Sequence, residues 1–236
     1  MSPDASYPRI LPVGEAAVTV EFGDRVDVAL NRQVHALDAR LRADPVAGIV
    51  ETVPTYRSLL VIYDPQQIGA GALETALARE AQRVQAARPA AEGWNSAEIH
   101  TAVQDATSPI VEIPVRYGGE TGPDLGDVAT HCGLTEAEVV EQHTAPLYQV
   151  AMLGFAPGFA YLLGLPTSLT TPRLATPRLR IPAGSVGIAG WQTGLYALST
   201  PGGWRIIGRT DLVLFDPERR PPFTLDAGVR VRFVSV

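Results

Sequence analysis

The sequence predicts a mixed α+β protein: a small α/β sandwich at the N-terminus and a β-barrel after it. Three observations carry that expectation. Short alternating strands and two amphipathic helices interleave over residues 1–88. Residues 89–109 then lose steady periodicity and are rich in Ala, Ser, Thr and Glu, the composition of a linker. Beyond Pro146, strand-length apolar segments recur between Gly and Pro turns. The expected domains are an α+β unit at 1–88, a linker at 89–109 and a barrel at 110–236.

Each element has a local cause. Arg9–Val13 and Glu15–Phe22 form two strands, and in the second Val18, Val20 and Phe22 alternate with Thr19 and Glu21. A helix begins at Asp27, with Leu30, Val34, Leu37 and Leu41 on one stripe, and Asp44-Pro45 ends it. His35 lies beside that stripe with no second metal-type ligand nearby, so it reads as a helix-surface histidine. Ile49–Pro54 and Ser58–Tyr63 form a hairpin. Gly71–Ala87 is a helix with Leu73, Leu77 and Val84 on one face. Ile110–Tyr117 is a strand turned by Gly118-Gly119. Asp124 caps a short helix that stops at Cys132-Gly133, and Thr135 with Glu138 forms a capping box for a second helix running to His143. Later strands fall at Leu147–Leu153, Ser185–Ala189, Gly194–Leu198, Trp204–Ile207, Leu212–Phe215 and Val229–Val236.

Composition excludes several classes. Hydrophobic residues are 46%, charged residues 19% and the net charge is −6, which suits a globular chain and opposes phosphate-neutralising nucleic-acid binding. All 19 basic residues are arginine. No Schiff-base lysine, Walker-type lysine or Ser-Lys pair is available, so an anion must be held by guanidinium or backbone N–H groups. Cys132 is the sole cysteine, which rules out an intrachain disulfide and points to a reducing, cytoplasmic compartment; at a helix C-terminus it reads as an inert thiol. Acidic Asp4 and the lack of an apolar core at the N-terminus argue against a signal peptide. Thr144–Pro172 is uncharged and long enough to cross a bilayer, but Pro146, Pro157, Pro166, Gly154, Gly158 and Gly164 would break a helix there, so no membrane span is expected.

Chemistry concentrates between Gly154 and Trp204. Glycine and proline shape the backbone, aromatics supply walls and arginines supply the only charge, the composition of a largely apolar cavity with fixed cations. Its candidate substrate- or nucleotide-binding residues are Phe155, Pro157, Gly158, Phe159, Tyr161, Arg173, Arg180, Gln192, Thr193, Tyr196, Gly202 and Trp204. Arg173, Arg178 and Arg180 lie in a proline-stiffened doublet and form either an anion site or an ordinary solvated loop. Arg209 is either an anion ligand or a local partner of Asp211 or Asp216. His143 stands just before the cavity stretch, either as an acid/base or as a helix-end histidine satisfied by carbonyls. With Arg178 and Arg209 it completes the catalytic candidates. Gly184, Gly187, Gly190 and Gly194 match no nucleotide fingerprint and read as tight β turns; neither a GxSxG signature nor metal-ligand spacing is present.

Long motifs in both halves carry a resemblance. They include Val53-Pro54-Thr55-Tyr56-Arg57-Ser58-Leu59-Leu60, Gly154-Phe155-Ala156-Pro157-Gly158-Phe159-Ala160-Tyr161-Leu162 and Ile181-Pro182-Ala183-Gly184-Ser185-Val186-Gly187. Pro12, Gly14 and Glu15, Gln192-Thr193-Gly194, Pro201-Gly202-Gly203-Trp204, Ile207-Gly208-Arg209-Thr210 and Leu214-Phe215-Asp216-Pro217 extend it over nearly the whole chain. In these the sequence resembles the 5-oxoprolinase B-subunit family (PxpB), also called allophanate hydrolase subunit 1, which includes the KipI sensor-kinase inhibitor. The resemblance implies a cyclophilin-like barrel and a site shared with a companion, the C subunit of the same enzyme. Together with the A subunit, the set cleaves 5-oxoproline to glutamate using ATP, with Mg2+ at the shared site. A KipI-like role, docking on a sensor histidine kinase, is the alternative it implies. Amidase-signature hydrolysis needs a catalytic lysine, which this chain lacks.

Overall fold

The computed structural model describes residues 6–86 and 110–236. The chain divides into two compact units, Met1–Gly93 and Trp94–Val236. The expected linker at 89–109 lies outside the described residues.

The first unit is a four-stranded antiparallel sheet with two helices. In chain order it runs β1 (Arg9–Pro12), β2 (Ala17–Glu21), α1 (Val28–Ala43), β3 (Ile49–Pro54), β4 (Ser58–Tyr63) and α2 (Ala70–Ala86). The sheet order is β1-β2-β4-β3. The expected α1 stripe is buried: Val34 and Leu37 pack with Val18, Val20, Leu59 and Val61 of the sheet and Leu73 and Leu77 of α2. Asp27 caps α1, its carboxylate accepting from the N–H groups of Ala29 and Leu30 at 2.8 and 3.3 Å. Arg40 of α1 reaches Glu80 of α2 through Nε at 3.0 Å and Nη2 at 2.7 Å. That pairing, joined by Arg83, holds the Glu80 carboxyl below its ordinary range.

The second unit is a closed barrel of seven strands. Its elements are β5 (Ile110–Tyr117), α3 (Leu125–Cys132), α4 (Glu136–Thr144), β6 (Tyr148–Leu153), β7 (Ala160–Leu163), β8 (Arg178–Ile181), β9 (Ser185–Ala189), β10 (Gln192–Leu195), β11 (Thr200–Gly202), β12 (Arg205–Arg209) and β13 (Arg230–Ser235). The barrel order is β10-β7-β6-β13-β5-β12-β9, and β8 with β11 forms a separate two-stranded ribbon. Only the β13–β5 pair is parallel among the named strand pairs. Val115, Val150, Leu162, Ile188, Leu195 and Phe233 fill one core, to which α3 and α4 add Val128 and Val139.

Local signals in this unit fare unevenly. The capping box of Thr135 and Glu138 is present in both directions, and Gly133 ends α3 at φ 68°. Asp124, expected to cap α3, makes no side-chain cap bond; its carboxylate is used elsewhere. The expected strand at Leu212–Phe215 is reduced to one isolated bridge between Phe215 and Phe223. The uncharged stretch from Thr144 supplies β6 and β7, and among the described residues no helix is long and apolar enough to cross a membrane.

Two of the four expected turn glycines serve a different purpose. Gly184 and Gly190 do turn, at φ 80° and 59°. Gly187 and Gly194 instead lie inside β9 and β10, under the Trp204 indole. A Cβ on Gly194 would stand 2.9 Å from the Trp204 ring and 3.0 Å from the Ala160 carbonyl oxygen. Gly194→Ala is therefore expected to cost about 1–3 kcal/mol through overpacking, read as a lower urea midpoint at an unchanged m-value.

Candidate functional site

The site begins where β5 ends. Gly118 and Gly119, at φ 69° and 53°, turn the chain into the segment that leads to α3. This segment lies hard against β12: a Cβ on Gly122 would fall 2.0 Å from the Ile207 carbonyl oxygen. Asp124 fastens it. Its N–H donates to the Ile206 carbonyl at 2.9 Å, and its Oδ2 accepts from the Ile206 N–H at 2.6 Å. From β8, Arg178 donates Nη1 to Oδ2 and Nη2 to Oδ1, both at 2.7 Å. Asp124 is 3% exposed. The pairing raises the Arg178 pKa further. Arg178, a catalytic candidate from sequence, is thus held by a near-buried carboxylate, and its evident work is to clamp the β8–β11 ribbon to the barrel.

Beside this clamp lies a cleft of about 170 Å³ whose lining includes Glu120, Thr121, Arg178, Arg180, Ser185 and Arg209. Arg180 donates through Nε to Ser199 Oγ at 3.1 Å. Arg209 stands opposite Ser185 in the β12–β9 register. It makes no hydrogen bond or ion pair among the described residues. Of its expected local partners, Asp211 is gripped by Arg116, with Nη2 at 2.7 Å from Oδ1, and feels Arg209 only through its field, while Asp216 accepts from the Glu218 N–H. The Arg116 guanidinium also lowers the Asp211 pKa. Gly184, just before Ser185, lies tight against the end of β12: a Cβ there would sit 2.1 Å from the Thr210 carbonyl oxygen and 3.3 Å from Arg209 Cγ. Arg180 and Arg209 therefore present guanidinium charge with no carboxylate bound to it, the donor set for an anion. Among the described residues no group of three or more His, Cys, Asp or Glu is placed to hold a metal.

The aromatic residues form a second layer. Phe159, Tyr196 and Trp204 are buried together rather than lining open space. Phe159 meets the Tyr161, Tyr196 and Trp204 rings edge-on at 4.6, 4.8 and 5.5 Å. Gly202 is wedged against the Tyr196 hydroxyl, where a Cβ would lie 2.4 Å from the oxygen. Burial pushes the Tyr196 phenol up to about 12. Tyr161 is half-buried and Gln192 half-exposed, while Thr193 is buried. Phe155 is 65% exposed and sits at φ 64°, the one non-glycine residue with positive φ among the described residues. Pro157 and Gly158 bring this turn back, and Gly158 lies so close to Ala197 and Phe215 that a Cβ would approach both within 3 Å. Ile181 and Ile206 belong both to this cluster and to the cleft lining, so the two adjoin. Arg173 is exposed, with its guanidinium 5.8 Å from the Trp204 ring centroid.

His143 lies apart from the cleft, in the barrel core, with no exposed surface. Its ring packs tilted against Phe233, with centroids 4.5 Å apart. Thr193 Oγ1 donates to the Gly187 carbonyl at 3.0 Å, so it accepts from His143 Nε2 at 2.9 Å. Nδ1 is then the acceptor of the Tyr117 hydroxyl at 2.8 Å. Burial depresses its pKa to about 3. The acid/base expectation is corrected here: a fully enclosed neutral imidazole with both nitrogens bonded does not reach a substrate. It is satisfied by two hydroxyls, not by the carbonyls that a helix end suggested. Glu120, Thr121, Asp124 and Ser185 were not among the candidates; the Gly118, Gly119 and Gly122 spacing was the available signal for the loop that carries the first three, and Ser185 opens β9 within the Ile181–Gly187 motif.

Comparison with known proteins agrees with this architecture. A family model described as the carboxyltransferase domain, subdomains C and D, matches residues 8–225. The 5-oxoprolinase B subunit of Escherichia coli O157:H7 is 45% identical over 94% of this chain and 93% of its own. That of Bacillus subtilis (strain 168) is 41% identical over 97% of this chain and 92% of its own. The chain belongs to the 5-oxoprolinase B-subunit family. A solved structure of the protein TTHA0988 superposes with a TM-score of 0.76 at 36% identity over 94% of this chain. The chain spans 40% of that longer protein. Within the B-subunit framework, the arginine cleft, the Asp124 clamp and the aromatic layer are the features with chemistry to offer.

Two outcomes follow from the geometry. Arg178→Ala strips a near-buried carboxylate of its partner and is expected to cost about 1.5–3 kcal/mol, seen as a lower thermal or urea midpoint. His143 has an ordinary pKa of 6.5 and a folded value of about 3. The unfolded chain binds the extra proton, so this contribution to stability is present above pH 6.5 and is lost as pH falls toward 3. The slope from this group is about 1.4 kcal/mol per pH unit, and His143→Gln is expected to flatten it in urea titrations taken between pH 6.5 and 4.

Proposed function

We propose that this chain is the B subunit of an ATP-dependent 5-oxoprolinase, acting in the cytoplasm and building a shared site with the C subunit, alongside the A subunit. The observation that carries the reading is the cleft that Arg180 and Arg209 line with Ser185, neither arginine hydrogen-bonded to a carboxylate among the described residues. That donor set suits a phosphate group. In phosphoryl transfer, catalysis is mostly positioning and charge stabilisation, which fixed guanidinium groups supply. A lactam amide is a poor electrophile. Transfer of the ATP γ-phosphoryl group to its oxygen, with ADP leaving, activates the carbon. One water then adds and the C–N bond breaks, leaving an acyl phosphate; a second water releases glutamate and phosphate.

The chain's own residues divide this work. Arg209 and Arg180 hold the phosphoryl oxygens, and Arg178 positions the ribbon that carries Arg180. Mg2+ would arrive with the nucleotide, and Glu120 at the cleft rim is the carboxylate best placed to meet it. The shared name of the relatives, 5-oxoprolinase B subunit, supports the activity. The longer TTHA0988 chain, of which this chain spans 40%, is in keeping with a unit that works beside further sequence.

The test is glutamate and ADP release from 5-oxoproline and ATP by the assembled three-subunit complex. Arg209→Ala is expected to lower kcat by about 10²–10³-fold with the thermal midpoint unchanged. Full activity in that variant, or equal turnover with this chain left out, would reject the assignment. Inhibition of a sensor histidine kinase with no contribution to glutamate release would favour the KipI-like role instead.

A further inference from the structure

Arg173 is the residue that the proposed reaction leaves unused. Its backbone is pinned on both sides. Thr171 exchanges hydrogen bonds with Gly190, at 3.1 and 2.7 Å, and the Leu174 N–H donates to the Gly203 carbonyl at 2.8 Å. Pro172 fixes φ between these anchors. The guanidinium is thereby presented over Trp204, which rests on the glycine floor of β9 and β10.

Among the described residues no carboxylate pairs with its charge. The carboxylates of the adjoining α3 end are taken: Asp124 by Arg178, and Asp127 by Arg205 at 2.7 Å. Arg205 is itself tied to the Pro172 carbonyl. Arg173 makes no hydrogen bond or salt bridge among the described residues. Its field lowers the pKa of the Tyr161 and Tyr196 phenols against the upward push of burial. A guanidinium stacked on an aromatic face keeps its in-plane N–H edge available, and that edge matches a carboxylate. The half-buried Tyr161 ring, 5.9 Å from that of Trp204, offers apolar surface to a small ring compound.

We propose that Arg173 binds the carboxylate of the lactam substrate, while Arg180 and Arg209 in the adjoining cleft serve the nucleotide. This rests on the 5-oxoprolinase reading above. It divides the arginines into two anion sites that share Ile181 and Ile206 as their common wall. Specificity for 5-oxoproline over a plain lactam then originates in a single side chain.

The experiment compares wild type, Arg173→Gln and Arg173→Lys in the assembled three-subunit complex, with 5-oxoproline and with 2-pyrrolidinone, the same lactam without a carboxylate. For Arg173→Gln the KM for 5-oxoproline is expected to rise about 10- to 150-fold, with the KM for ATP unchanged and the preference for 5-oxoproline over 2-pyrrolidinone reduced by the same factor. Arg173→Lys, which keeps the charge and loses the fork, is expected to recover part of the loss. An unchanged KM for 5-oxoproline would overturn the proposal, as would a rise confined to the KM for ATP. Failure of Arg173→Gln to co-purify with the C subunit would make it an interface residue and would also overturn it. A wild-type complex that releases no glutamate would remove the parent reading, and this proposal with it.

Discussion

The Asp124 carboxylate is the contact on which the rest of the site depends. One side chain takes two N–H groups from Arg178 and one from the β12 backbone. It joins the loop after β5, the outlying ribbon and the barrel wall. A carboxylate at 3% exposure is costly unless its lone pairs are used, and here the geometry is bidentate and short. Because β8 carries both Arg178 and Arg180, the same ion pair that anchors the ribbon also aims the neighbouring guanidinium. The arginines of this region therefore have distinct jobs despite their common chemistry. Arg178 is consumed in holding the framework and Arg205 pairs with Asp127, whereas Arg173, Arg180 and Arg209 form no ion pair among the described residues.

Glycine plays the complementary part. Gly187 and Gly194 remove side chains from two adjacent strands so that the Trp204 indole can lie on the barrel wall, and Gly202 makes room for the Tyr196 hydroxyl. The aromatic layer is consequently a rigid support rather than an open pocket. Its rings meet edge-on, which favours the quadrupole arrangement and leaves little freedom to rearrange. The same rigidity reaches the arginines: the backbones around Arg173 and Arg209 are fixed by neighbouring hydrogen bonds, which leaves freedom only in their side chains.

Much of the fold was legible where the cause is local. The α1 stripe, the Asp27 cap and the Thr135–Glu138 box are all contained within a few residues, and each is found in the structure. The strands β7, β8 and β11 are only three or four residues long, too short for a period to mark them, and β11 also contains proline and glycine. Asp124 was misjudged because a helix-cap signal is local, whereas its true partner Arg178 stands 54 residues away. His143 was placed near the chemistry by sequence position alone, yet its bonding partners are Tyr117 and Thr193, the latter 50 residues on. The arginines were correctly recognised as the available cations. Which of them were already paired is a property of three-dimensional neighbours, and composition carries no record of it.

The parallel pairing of β13 with β5 bears on how the barrel is made. Arg232 lies alongside Glu112, 120 residues earlier, and β13 also pairs with β6 to complete the ring. The strand that closes the barrel is therefore the last of its strands to leave the ribosome. Until it inserts, β5 and β6 expose unpaired edges, whereas the N-terminal sheet pairs segments that emerge within the first 63 residues and has no such wait. Synthesis order thus gives the two units different vulnerabilities. The sheet unit can assemble early, whereas barrel closure waits for β13, and until then strand addition by another chain would compete at the open edges.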